Sequence, residues 1–188
     1  MARRCTTRAV CALALASSVA LSSCESEAKK VRNGAEREGL AFPVGGVTYN
    51  VFITRELNPR VVPDKAYYKG PEPGKDQLLY GIFLQACNKT EKVQQTAPRF
   101  TVTDNQGNKF EPIPLPKDNP FAYHPARLQP DQCVPEAGSV AERGPTAGSL
   151  LIFKLPLQTL ENRPLDLRIT APSELGGKQD SGIIELDI

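Results

Sequence analysis

The sequence predicts an all-β domain, a two-sheet antiparallel sandwich with long proline-rich loops. Three observations carry that reading. Apolar residues recur at a period of two from residue 41 onward, at least seven short runs of this kind follow one another, and no segment shows an amphipathic helical stripe. The chain has 188 residues, 40% hydrophobic and 23% charged, with 14 glycines and 17 prolines. That usage suits one globular domain with attachments and is too poor in glycine and proline for a collagen-like or wholly disordered chain.

The first strand is read in Val47, Tyr49, Val51 and Ile53, alternating with Thr48, Asn50, Phe52 and Thr54. Leu78 to Cys87 is apolar on both faces, which marks a central strand, and Asn88-Lys89-Thr90 ends it as a turn. Asn88-Lys89-Thr90 also matches a glycosylation sequon, but the turn is the plainer role. Phe100 to Asp104 alternates again. Asp104 to Asn108 then reads as a hairpin turn before Lys109-Phe110, without the alternating acids of a calcium loop. Leu150 to Leu155 stops at Pro156, Leu165 to Ile169 alternates, and Ile183 to Asp187 closes the chain. Two stretches break the rhythm. Residues 58–75 hold Pro59, Pro63, Pro71 and Pro73, and residues 111–146 hold eight prolines, so both are read as long surface loops.

The N-terminus reads as an address. Arg3, Arg4 and Arg8 precede an uncharged run of 13 residues, Ala9 to Leu21, within the length of a signal-peptide core and short of a bilayer-spanning helix. Leu21-Ser22-Ser23-Cys24 then resembles the lipobox of bacterial lipoproteins, in which small residues precede the cut and the cysteine sulfur takes a diacylglycerol. Residues 1–23 are the expected signal peptide. Residues 24–40 are the lipidated Cys24 with a charged, solvated tether, and residues 41–188 form the domain. Acyl chains such as palmitate on Cys24 would hold the protein on the outer, extracytoplasmic face of the cell membrane. Loss of the leader removes three arginines and no acid, taking the net charge from +2 to −1. The basicity of the whole chain belongs to the leader, and no basic patch argues for nucleic acid.

After cleavage, Cys87 and Cys133 remain as the one intramolecular pair, expected as a disulfide stapling the second proline-rich loop to the central strand. A redox pair is the rival reading, but the two lack C-x-x-C spacing. One histidine and a lone initiator methionine remove two-histidine metal centres and blue-copper sites, so no metal and no cofactor is expected. His124 could be combined on paper with Asp118 and Ser149, yet no G-x-S-x-G elbow accompanies them and a surface or packing role is the plainer one. Gly45-Gly46 lacks the spacing of a phosphate cradle. Tyr67-Tyr68-Lys69, among prolines, is the candidate contact loop for a partner or glycan. The alternative is that one tyrosine packs under its own loop while the other points out.

The strand Leu78 to Asn88 ending in Cys-Asn, the F-x-V-x-D-x-x-G hairpin from Phe100 to Gly107, and the G-x-L-L-I-F-x-L-P strand from Gly148 to Pro156 together resemble a known group. They are similar to the exported immunoglobulin-like domains of Gram-positive, especially actinobacterial, lipoproteins, and to the small secreted immunogenic proteins of mycobacteria. The resemblance spans about Val44 to Ile188. It implies an immunoglobulin-like β-sandwich placed outside the cell and brings no catalytic residues. The expected function is a non-enzymatic binding or interaction module, held to the membrane by its lipid and facing an unknown protein or envelope ligand. A structural or chaperone-like accessory of an envelope complex is the alternative, and an enzyme the least supported. Replacing Cys24 with Ala is expected to release the protein from the membrane fraction. Retention of Cys24→Ala in membranes after a high-salt wash would show that lipid on this cysteine is not the anchor.

Overall fold

The computed structural model describes residues 35–173 and 179–186. The expected signal peptide, Cys24 and most of the tether lie outside the described residues. Twelve strands, most of them in two facing sheets, account for most of the regular structure among the described residues. One sheet runs in the order β1 (Ala35–Arg37), β12 (Ser181–Leu186), β11 (Leu165–Thr170), β6 (Arg99–Thr103), β7 (Lys109–Phe110). The other runs β10 (Ser149–Pro156), β4 (Gln77–Asn88), β3 (Val47–Leu57), β2 (Ala41–Val44). β9 (Cys133–Val134) pairs with Ala86 and Cys87 of β4, just past Leu84 where the β10 ladder ends. A two-stranded ladder of β5 (Gln94–Gln95) and β8 (Arg127–Leu128) stands apart. Among the described residues, helix is confined to two single turns, α1 (Asp64–Tyr67) and α2 (Val140–Arg143), and a 3₁₀ turn over Leu157–Leu160. The all-β sandwich expected from the sequence is the fold.

The turns follow from local chemistry. β2 and β3 are joined by Gly45-Gly46, with φ of 58° and 78°, the left-handed pair that a two-residue hairpin needs and that side chains resist. At the β6–β7 hairpin, Asp104 Oδ1 accepts the N–H groups of Gln106 and Asn108, and Oδ2 accepts the Asn108 amide at 2.9 Å. Burial alone would push the Asp104 carboxyl up, but these donors outweigh it and hold it below 3.8. At the end of β4 the fully buried Asn88 amide donates to Lys92 O and Leu128 O, while its oxygen accepts from Thr90. The sequon reading yields to the turn.

Between the sheets, Tyr49 and Tyr123 both pack edge-on against Phe100. Their hydroxyls serve both backbone groups of Ala97: Ala97 N–H donates to Tyr49 Oη at 2.6 Å, and Tyr123 O–H donates to Ala97 O at 2.8 Å. Burial raises the Tyr49 hydroxyl to about 12, so it stays neutral and able to share its proton.

Three expectations need correction. The β1–β12 ladder is parallel, so the sandwich is not antiparallel throughout. The chain runs up the free edge of β12 before crossing to the other sheet, which draws the end of the expected tether into the domain. Glu38 accepts a hydrogen bond from Thr54 Oγ1 at 2.9 Å and Gly39 N–H donates to Val51 O at 2.7 Å, so the domain begins by residue 35 instead of 41. Finally, a β-bulge between Val51 and Ile53 flips the period of β3. Ile53, expected inside, is 40% exposed, and Thr54 is buried in its place.

Cys87 and Cys133 sit opposite each other in the β4–β9 register and form a disulfide, as expected. It closes a loop of 46 residues, worth roughly 4 kcal/mol of chain entropy in the unfolded state. A Cys87→Ser, Cys133→Ser double variant is expected to lose about that much stability in urea unfolding. A loss below about 1 kcal/mol would mean that the neighbouring backbone bonds Asn88 N–H to Gln132 O and Asp131 N–H to Asn88 O hold the loop unaided.

Candidate functional site

The outer face of the second sheet is a core in its own right. Side chains of β4 alternate between the two faces: Leu78, Tyr80, Ile82 and Leu84 point between the sheets, while Leu79 and Phe83 point away. β10 does the same, sending Leu150 and Ile152 outward. These outward residues are fully buried because the two proline-rich loops lie over them. Tyr67 of α1 plugs the centre, edge-on to Phe83 at 5.4 Å and to Phe121 at 4.8 Å, with Ile113 and Leu115 packed beside the cluster.

Each loop is pinned by polar contacts. Arg55 on β3 makes a two-pronged ion pair with Asp64 at 2.5 and 2.9 Å, and Asp64 also accepts the Asn58 N–H at 2.8 Å. The Arg55 guanidinium sits over the Phe83 ring at 5.6 Å. Burial works against the Asp64 carboxylate, but the bonds from Arg55 and Asn58 prevail and hold it below 3.8. The second loop runs along the open edge of β10, with Ile113 N–H bonded to Ile152 O, Leu150 N–H to Phe121 O, and Tyr123 N–H to Leu150 O. Asn119 joins the two loops, its Nδ2 donating to Tyr67 O at 2.8 Å across 52 positions of sequence.

Where the loops meet, they leave a groove of about 480 Å³. Lys69, Gly70 and Pro71 form one wall, Pro114, Leu115 and Pro116 the other, with Tyr68 between them and Lys154 of β10 reaching in. Its surface is mainly apolar, with Lys69, Lys154 and Asp118 the charged side chains. The volume falls in the range of small-molecule sites, roughly 300–1,000 Å³.

Of the residues singled out from sequence, the structure brings the two proline-rich loops together, which no sequence spacing announced. The expectation that one of Tyr67 and Tyr68 points out is corrected, although Tyr68 borders the groove. Both rings are buried, Tyr67 completely, and Tyr68 O–H donates to Pro71 O at 3.2 Å, so neither points out. Lys69 is exposed on the groove wall. The loops are also less irregular than expected, since residues 58–75 contain α1 and residues 111–146 contain β8, β9 and α2. Asp118, His124 and Ser149 do not converge: Asp118 lines the groove, His124 borders a smaller hollow beside Pro98 and Pro112, and Ser149 is buried at the start of β10. Sequence reading missed Lys154. Its signal was a lone charge in the apolar run Leu150 to Leu155.

Among the described residues no group of three or more His, Cys, Asp or Glu could hold a metal ion, and no helix is long and apolar enough to cross a membrane. No protein-family model and no curated protein matches the sequence. Similar solved structures include yjhA from Bacillus subtilis, 12% identical over 81% of this chain and 99% of that one, with a TM-score of 0.54. ycdA, a candidate lipoprotein of Bacillus subtilis, is 14% identical over 80% of this chain and 39% of its own, with a TM-score of 0.48. An uncharacterized β-sandwich protein of Clostridium difficile is 13% identical over 81% of this chain and 95% of its own, with a TM-score of 0.45. At such identities the likeness is one of fold alone.

Asp64→Asn is expected to destabilise the domain by about 2 kcal/mol at neutral pH, because it leaves the Arg55 guanidinium facing a neutral amide. The sign with pH follows from the lowered carboxyl. Its contribution is complete above the unfolded-state value near 3.8 and disappears as pH falls through the lower folded-state value. Urea titrations between neutral pH and pH 3 should show a shallower acid loss in the variant, with the Asp104 share remaining. An unchanged acid slope would remove the Arg55–Asp64 pair as a determinant.

Proposed function

We propose that this protein is an exported lipoprotein of the actinobacterial type, an immunoglobulin-like domain displayed outside the membrane that binds a ligand in the groove between its two proline-rich loops. The observation that carries the binding role is the groove's construction. Its walls come from segments 45 or so positions apart, locked together by the Asn119–Tyr67 bond and seated on a buried aromatic cluster. Walls of proline lose little entropy when a ligand settles, so the cavity is preorganised. The Leu21-Ser22-Ser23-Cys24 sequence supports the lipid anchor. A non-enzymatic role fits a groove whose charged side chains are two lysines and one aspartate, with no nucleophile–base pair among the residues lining it.

The test is a photo-reactive residue placed at Pro116 on the groove wall, and another at Thr101 on the outer face of the first sheet. After illumination of intact cells, intact-mass measurement should find a discrete adduct at position 116 and none at 101. No adduct at 116, or the same adducts at both positions, would sink the groove as the contact surface.

A further inference from the structure

The groove carries more than shape. Lys154 lies on the outward row of β10, in line with Leu150 and Ile152. Its two predecessors in that row are sealed under the loops, whereas Lys154 is half-buried at the place where the covering stops. No ion pair or hydrogen bond from the described residues reaches its ammonium. An ammonium that borders an apolar groove without an ion-pair partner is a favoured place for a ligand-supplied anion, because the pair can form there without displacing an existing one. Lys69 adds a second unpaired cation on the facing wall, and Asp118, exposed at the rim, pairs with neither. The lining therefore sums to one net positive charge over a mostly apolar surface of proline, leucine, isoleucine and tyrosine.

We infer that the groove takes a small amphipathic organic anion, with its apolar body between the proline walls and its carboxylate at Lys154. The inference rests on the groove being the binding surface and adds the ligand class to it. The volume of about 480 Å³ matches a molecule of modest size and excludes a folded protein element. Apolar contact supplies most of the attraction and the ammonium supplies the discrimination, because a neutral head group would leave Lys154 without an opposite charge. Lys69, exposed and flexible, adds longer-range attraction that salt weakens.

The experiment compares octanoate with octanol, both below their aggregation concentrations, by calorimetric titration of the full-length protein and of Lys154→Met, which keeps a long apolar stem. The expected result is octanoate binding at least tenfold tighter than octanol to the native protein, and a fall of about tenfold in octanoate affinity in Lys154→Met with octanol unchanged. Groove occupancy is read independently by competition with the Leu115→Trp variant, whose enlarged side chain should abolish binding of both. Equal affinities for acid and alcohol, or an unaltered octanoate affinity in Lys154→Met, would overturn the anion inference while leaving an apolar binding groove. Failure of both probes to bind the native protein would overturn the inference and the groove together.

Discussion

Two neighbouring strands, β4 and β10, present large apolar side chains on both of their faces, and water must be kept from both. The first sheet covers one side in the ordinary manner of a sandwich. On the other side Leu57, Leu79, Phe83, Leu150 and Ile152 need a second covering, and no long helix is there among the described residues to provide it. Full burial of side chains of this kind contributes roughly 1.5–3 kcal/mol each. For five residues the sum is comparable to the whole net stability of a typical domain, about 5–15 kcal/mol. The proline-rich loops are therefore structural before they are anything else.

That burden dictates how the loops are built. A segment lying over an apolar face must still satisfy its backbone, and residues 111–123 do so by bonding along the edge of β10, which at the same time closes that edge to other strands. The first loop folds its central residues into the α1 turn and sinks Tyr67 into the cluster, with Arg55 and Asp64 fixing the turn from the side. Proline suits both segments because it fixes the chain's direction and needs no partner for an N–H group. The groove is the seam left where two such coverings approach without merging, and its charged residues lie where the apolar face runs out.

Local chemistry was easy to read from residue order. The apolar run Leu78 to Cys87 declared burial on both faces, Asp104 to Asn108 declared a hairpin, and Asn88 to Thr90 declared a strand end, each because the determinants lie within a few residues of one another. Cys87 and Cys133 could be paired because the expected loss of a leader leaves them as the one intramolecular pair. What escaped was everything set by a distant partner. The bulge at Phe52 reverses the faces of β3 although Val47 to Ile53 alternates cleanly, and the 35–37 segment becomes a strand only because β12 offers it a free edge. Tyr67 looked like part of a contact surface because its burial depends on Phe83 and Phe121, 16 and 54 positions further along the chain.

Residue order by itself determined the sandwich class, the positions of the main strands and turns, the identity of the cystine pair, and the two proline-rich interruptions. These depend on alternation, turn propensity and composition, all short-range properties of the chain. Tertiary structure alone decided that the interruptions cover one shared face, that both tyrosines turn inward, and that Lys69, Asp118 and Lys154 border a single groove. Those outcomes come from apolar burial and from hydrogen bonds such as Asn119 to Tyr67, which join residues that no local pattern relates.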